Sequence, residues 1–283
     1  MTDQSAVSNT QLHRGELLQV LHRRQGIFVV PNPWDAGSAR LLANLGFEAL
    51  ATTSAGLAFS LAKADGLAAV TREETLANAR TIVGATELPV TADLENGYGD
   101  APEACAETIR LAADAGLVGG SIEDATGNPA DPIYPLEMAV ERVKAAVAAA
   151  RSLAFPFTLT ARAENLIHGR PDLNDTIRRL EAFAAAGADV LYAPGLATRE
   201  EIAAVVRAVA PKPVNVVMGL SKGYFTLNEL GELGVRRVSL GASLARAAYS
   251  AFLRAAEEIH DKGSFTFAQD IVPYAVFNGI FKR

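Results

Sequence analysis

The sequence predicts an α/β fold, a (β/α)8 TIM-type barrel over residues 1–283 as a single domain. Three observations predict it. Short β-branched or apolar runs alternate about eight times with Ala-rich helical stretches, the pattern of parallel strands joined by crossover helices. A length of 283 residues suits one barrel, which takes about 250. Neighbouring predicted strands end in charged residues, and a barrel builds its active site at the C-terminal ends of its strands.

Taken in order, residues 1–26 form an N-terminal segment whose stretch 11–25 reads as an extra helix. The β-branched or apolar runs place strands at 27–30, 49–53, 89–92, 119–122, 158–161, 189–192, 214–217 and 237–240. Between and after them, helices are expected at 37–45, 72–84, 101–115, 136–151, 173–186, 199–209, 226–233 and 242–260. Gly46, Gly116, Gly187 and Gly234 stand just past four of these helices, where a left-handed residue closes the last turn. A doubly wound open sheet is the competing fold, but Val30-Pro-Asn-Pro-Trp-Asp-Ala-Gly37 lacks its Gly-x-Gly-x-x-Gly phosphate fingerprint. Residues 262–283 form a helical tail rich in apolar and aromatic side chains. A barrel closes without such a tail, so packing on another subunit of a homodimer or homotetramer is expected.

A hydrophobic fraction of 49% with 20% charged residues supports a sizeable core. The net charge of −6 and the lack of a long Lys/Arg run argue against nucleic acid as a partner. No apolar stretch reaches the roughly 18 residues of a membrane span, and Met1 to Asn9 has no leader pattern, so a cytoplasmic location is expected. The single cysteine, Cys105, lies in a predicted helix between alanines and reads as buried packing.

The chemistry concentrates at three strand tips. Asp93 and Glu95 open the loop Asp93-Leu-Glu-Asn-Gly-Tyr-Gly99, Glu123 and Asp124 end Val118-Gly-Gly-Ser-Ile-Glu-Asp124, and Arg162 and Glu164 end Phe157-Thr-Leu-Thr-Ala-Arg-Ala-Glu164. Ionised carboxylates at a buried strand tip need compensation. Oxygen-only donors suit Mg²⁺, with Mn²⁺ as the alternative. Helix capping accounts for Asp100 or Asp124 singly, but not for an in-line Asp and Glu facing an Arg. Gly219-Leu-Ser-Lys-Gly223 spells a nucleophile elbow, yet no oxyanion motif precedes it; it reads better, with Gly241 to Ser243, as an anion-binding pair of loops. The four histidines are isolated, which argues against zinc, and His168 reads as a solvated loop residue near the charged tips.

Several motifs in chain order resemble those of the isocitrate lyase and phosphoenolpyruvate mutase superfamily. They are Asn32-Pro-Trp-Asp-Ala-Gly-Ser-Ala-Arg40, Thr52-Thr-Ser-Ala-Gly56 with Lys63-Ala-Asp-Gly66, Asp93-Leu-Glu-Asn-Gly-Tyr-Gly99, Ser121-Ile-Glu-Asp124 and Thr160-Ala-Arg-Ala-Glu164, and the resemblance runs from residue 32 to about 248. It implies a Mg²⁺ held directly by Asp93 and through water by Glu95 and Glu123, with Asp65 in the same acidic ring. It implies a small carboxylate substrate, a 2-oxo acid or a compound that becomes one. The Ser54 and Ala55 amides, the Ser54 hydroxyl and Arg162 would hold its carboxylate, with Trp34, Thr53, Gly56 and Asn215 around it. Arg162, Asp65 and Glu123 would be the catalytic groups.

The chain departs from the family's two defined chemistries. Its lyases carry a Lys-Lys-Cys-Gly-His type loop, whereas Glu123-Asp-Ala-Thr-Gly-Asn-Pro-Ala-Asp131 has neither Cys nor His and offers only Asn128 as a polar group in place. Its phosphonopyruvate enzymes use a Lys-Thr-Asn loop and a histidine after the sixth strand, where this chain has Ala193-Pro-Gly195. The expectation is therefore a Mg²⁺-dependent lyase or decarboxylase of a small 2-oxo or 2-hydroxy di- or tricarboxylic acid, working through a metal-stabilised enolate. The alternatives are cleavage or rearrangement of a carbon–phosphorus bond, or a catalytically weak 2-oxo acid binding protein.

Overall fold

The structure, a computed structural model, describes residues 9–66, 69–219 and 223–282. Helix α1 (Asn9–Arg23) precedes β1 (Phe28–Val30), α2 (Ala36–Asn44), β2 (Leu50–Ala51), α3 (Ser54–Ser60) and α4 (Arg72–Gly84). Strand and helix then alternate: β3 (Val90–Asp93), α5 (Pro102–Asp114), β4 (Gly119–Glu123), α6 (Leu136–Arg151), β5 (Thr158–Arg162), α7 (Leu173–Ala185), β6 (Val190–Tyr192), α8 (Arg199–Val209), β7 (Val214–Val217), α9 (Leu227–Glu232) and β8 (Arg237–Ser239). Helix α10 (Ser243–Lys262), a 3-10 turn (Thr266–Gln269) and α11 (Tyr274–Phe281) follow.

All eight predicted strands form, and they pair in parallel in the order β1-β8-β7-β6-β5-β4-β3-β2, a nearly closed TIM-type barrel. The seam lies between β1 and β2. There the Ala51 amide donates to Pro31 O at 3.1 Å. The Asn32 side chain spans the seam, its Nδ2 donating to Thr52 O and its Oδ1 accepting from the Leu240 amide, both at 2.8 Å. All four predicted helix-closing glycines have positive φ, between 86° and 102°.

Two differences from the expected elements share one cause. Strand β2 stops at Ala51 rather than at residue 53, and the unpredicted helix α3 starts at Ser54. Thr53 is the N-cap between them, its side chain accepting from the Gly56 amide, so the chain leaves the ladder to start a helix.

One contiguous apolar core fills the space between barrel and helices, with Leu42, Ile82, Ile109, Val143, Leu180 and Val205 from the helices meeting Val90, Leu159, Leu191, Val216 and Val238 from the strands. The inside of the barrel differs. Thr91, Ser121, Thr160, Asn215, Arg237 and Ser239 face a cavity there, where most barrels pack branched apolar side chains. Register sets the site: Asp93 pairs with Ser121, Glu123 with Arg162, Arg162 with Tyr192, and Asn215 with both Tyr192 and Arg237.

Candidate active site

A cavity of about 410 Å³ opens at the C-terminal ends of the strands. Thr53, Ser54, Ala55, Asp65, Asp93, Arg162 and Asn215, all expected at the site, line it. Glu95 lies in an adjoining groove with Val70, Arg72 and Tyr98, and Glu123 reaches the site through Arg162. Trp34 and Gly56 are not among the lining residues. Gly56 supports the start of α3 instead: a Cβ there would lie 2.5 Å from Thr53 Cγ2 and 3.1 Å from Trp34 Cβ, so this turn packs only with glycine.

Arg162 organises the charge. Its Nη1 donates to Asp93 Oδ1 at 2.8 Å, its Nη2 pairs with Glu123 Oε2 at 3.1 Å, and its Nε donates to Glu164 Oε1 at 2.7 Å. Its guanidinium lies 5.1 Å from the Tyr192 ring centroid. Burial opposes its charge, but Glu164, Asp93 and Glu123 more than compensate and hold its pKa well above the usual arginine value.

Asp93 also accepts from the Ser54 hydroxyl at 3.1 Å and the Glu95 amide at 3.3 Å. Burial pushes its carboxyl up, yet Arg162, the Glu95 amide and Ser54 bring it below the usual range, so it is ionised. Glu95, Asp65 and Glu123 shift the other way. Burial and then the Asp93 and Asp65 charges push Glu95 up to about 7. Asp65 is raised by burial and Asp93, and Glu123 is raised well above its ordinary value by burial and the nearby Glu164, Asp93 and Glu95, against the pull of Arg162.

Among the described residues no three His, Cys, Asp or Glu side chains are grouped to hold a metal directly. Arg162 pairs with both Asp93 and Glu123. The donor chemistry still fits a hard divalent cation, because the groups are carboxylates whose mutual repulsion one guanidinium leaves unrelieved.

The loop after β3 is held from below. Glu95 and Tyr98 take left-handed φ of 47° and 60°, unfavourable for side-chain-bearing residues. Arg142 of α6, 1% exposed, donates to Gly99 O at 2.7 Å and to the carbonyls of Asp100 and Asn96, and its guanidinium stacks 4.2 Å from the Tyr134 ring centroid. The hydroxyl of Tyr98 donates to Thr75 Oγ1 and that of Thr108 to Gly97 O. Cys105 packs under the loop, its Sγ 2.9 Å from where a Cβ on Gly97 would stand, which bears out its reading as packing. Arg142→Leu removes a buried donor shared by three loop carbonyls, so the fold is expected to lose about 3 kcal/mol, read as a lower urea midpoint; an unchanged midpoint would show the anchoring to be wrong.

Other expected residues have structural duties. Asp124 accepts from the Glu164 amide and from Arg179, tying the loops after β4 and β5 together. Asn128 Oδ1 accepts from the Ala130 amide within its own exposed turn, and His168 is exposed outside the cavity. Residues 220–222 of the expected anion loop lie outside the described residues. Sequence reasoning missed Arg142 and Arg237. The available signal for Arg142 was a charge at the helical phase of Ala139, Val143 and Ala146.

A family model described as phosphoenolpyruvate phosphomutase matches residues 17–260. The chain belongs to this family. Among solved structures similar to this phosphoenolpyruvate phosphomutase family member is a protein of Burkholderia cenocepacia J2315, provisionally described as a lyase/mutase, at 59% identity and TM-score 0.95, with 98% of each chain covered. Oxaloacetate acetylhydrolase in complex with the product oxalate is 29% identical with a TM-score of 0.85 over 94% of each chain. A 2-methylisocitrate lyase of Aeropyrum pernix is 28% identical over 258 residues, 88% of this chain and 81% of that one. The family member described here thus stands in the isocitrate lyase/phosphoenolpyruvate mutase superfamily among carbon–carbon lyases and mutases.

Proposed function

We propose that the protein is a divalent-metal-dependent carbon–carbon lyase or decarboxylase acting on a small 2-oxo or 2-hydroxy di- or tricarboxylic acid. One observation carries the reading: Arg162, Asp93, Asp65 and the Ser54 hydroxyl line one cavity together with the start of α3. Asp93 would hold Mg²⁺ (or Mn²⁺) directly, with Glu95 and Glu123 acting through water and Asp65 completing the ring. When bound, the cation would polarise a 2-oxo oxygen as a Lewis acid.

The chain's own groups supply the rest. The Ser54 and Ala55 amides, in the first turn of α3, have no intrahelical acceptor and would take a substrate carboxylate with the Ser54 hydroxyl. Arg162 keeps N–H donors on Nη1 and Nη2 beyond those its carboxylates use. When the bond at C3 breaks, its electron pair moves to the 2-oxo oxygen, and the fixed charge of Arg162 stabilises the resulting enolate. Decarboxylation needs no dedicated acid to break that bond, which accords with a loop 125–131 without Cys or His.

The test is a thermal-shift series with Mg²⁺ and a panel of 2-oxo acids, hydroxy acids and phosphonopyruvate, followed by proton and phosphorus NMR on every hit. A Mg²⁺-dependent shift with pyruvate or another 2-oxo acid released supports the lyase reading. Phosphonopyruvate consumption would replace it with carbon–phosphorus chemistry, and a shift without product with a binding role.

The acid cluster makes a pH prediction. Glu95 has a folded pKa near 7, above its usual 4.5, so the folded state favours its protonated form. The stability this contributes is complete below about pH 4.5 and is lost as pH rises through 7 in metal-free protein. Mg²⁺ competes with that proton, so the gap in Tm between Mg²⁺-loaded and metal-free protein is expected to widen from pH 5 to 8; a constant gap would argue against Glu95 facing the cation.

We also propose that the C-terminal arm packs on a second copy of the chain. Helix α10 buries only Ala245, while Phe252 is 68% and Tyr274 82% exposed. Light scattering is expected to find a dimer or tetramer; a monomer at micromolar concentration would overturn this.

A further inference from the structure

Besides Arg162, two arginines line the cavity: Arg246, exposed on α10, and Arg237, which is buried and has no acid beside it among the described residues. Arg237 opens β8, points into the barrel and is 5% exposed. Its Nε donates to Asn215 Oδ1 at 2.8 Å, its Nη2 to Thr160 Oγ1 at 2.9 Å, and its Nη1 lies 3.5 Å from His22 Nε2. His22 Nδ1 lies 2.7 Å from Leu18 O, which places the ring proton on Nδ1 and a lone pair on Nε2. Burial and then Arg237 push the His22 pKa down to about 3, so the ring is neutral. These three partners of Arg237 are therefore all neutral.

The contrast with the other buried arginines is informative. Arg162 and Arg179 pair with carboxylates, and Arg142 is sealed against three backbone carbonyls away from the cavity. Arg237 alone of these combines burial, the lack of an acid and a place on the cavity wall. Burial lowers its pKa only to about 10, so it stays charged at neutral pH. A buried charge without a counter-ion is costly unless a bound group supplies one. The surrounding hydroxyls and amide of Thr91, Ser121, Asn215 and Ser239 make that end of the cavity polar.

Depth fits the same idea. Arg237 bonds to Thr160, two residues before Arg162 on β5, hence about 6–7 Å further into the barrel at the usual strand rise. That is the scale of a short dicarboxylic acid whose first carboxylate lies near Ser54 and Arg162.

We propose that Arg237 receives a second carboxylate of the substrate at the inner end of the cavity, and that the protein thereby selects diacids over monoacids. This rests on the lyase reading above and adds a specificity-determining residue to it. The guanidinium fork matches a carboxylate and a phosphonate alike, so the test separates the two.

Binding is measured calorimetrically on the full-length, Mg²⁺-loaded protein with pairs of equal chain length: 2-oxoglutarate against 2-oxopentanoate, and oxaloacetate against 2-oxobutanoate. 3-Phosphonopyruvate forms a third arm. The wild type is expected to favour each diacid by roughly 10- to 100-fold, the scale of a charge-assisted pair. Arg237→Met should erase that preference, read as the ratio of diacid to monoacid affinity within the variant itself, whatever the loss of the donor to Asn215 and Thr160 does to affinity as a whole. If Arg237→Met does not fold, Arg237→Lys, which keeps the charge but loses the fork, is expected to retain only part of the preference. Equal binding of diacids and monoacids by the wild type would overturn the role of Arg237 and leave the lyase reading standing. Binding of phosphonopyruvate without either diacid would overturn the carboxylate assignment, and binding of no 2-oxo acid at all would overturn both readings.

Discussion

Asp93→Ala is expected to lower turnover by roughly 10³-fold or more and to abolish the Mg²⁺-dependent thermal shift. Asp93 is the one acid of the cluster held below its ordinary pKa, and it joins Arg162, Ser54 and the Glu95 amide at one carboxylate. Its removal takes away the directly bound oxygen expected for the cation and the link between β3 and β5. The fold should survive, because Arg162 keeps Glu123 and Glu164 as partners. Circular dichroism should therefore match wild type while activity and the metal response vanish together. Mg²⁺-dependent turnover in this variant would remove the basis of the metal assignment.

Arg162→Gln carries the second large expected effect, and its signature is different. It leaves Glu164, with a side chain only 1% exposed, and the partly buried Glu123 and Asp93 without their shared cation. Breaking a buried pair from one side destabilises by about 3–5 kcal/mol, so metal-free Arg162→Gln should melt well below wild type. Mg²⁺ should restore part of the lost Tm, since it too neutralises the acids, but not the activity. Arg162→Lys separates charge from geometry: it should recover stability better than rate, because an ammonium lacks the planar fork. Full activity in the Lys variant would show that Arg162 acts only as a counter-charge.

How far the sequence reveals this site depends on whether the signal is local. Asp93, Glu123 and Arg162 each interrupt an apolar run at its end, which a window of a few residues detects, and eight such runs disclose the barrel. Helix α3 is hidden because Ser54-Ala-Gly-Leu-Ala-Phe-Ser is short and contains a glycine, and its start depends on the Thr53 cap. Strand alternation implies that only one of Arg236 and Arg237 faces inward, but not that its partners are Asn215, Thr160 and His22 from three distant elements. The insertion of Arg162 between Asp93 and Glu123 is hidden for the same reason: each tip is legible, while their mutual spacing is a property of register.

The Asn32 side chain joins Thr52 to Leu240 across the barrel seam and also faces the cavity. One amide therefore serves both the closure of the fold and the wall against which a ligand rests. Such double duty constrains how this scaffold diversifies. A substitution at position 32 that suits a new ligand also removes the side-chain link across the seam between β1 and β2, so selection for specificity there is opposed by selection for foldedness. Ser121, Ile167 and Val217 face the same cavity without spanning that seam. Descendants of this chain that acquire new substrates should accumulate their changes at those positions while Asn32 stays fixed.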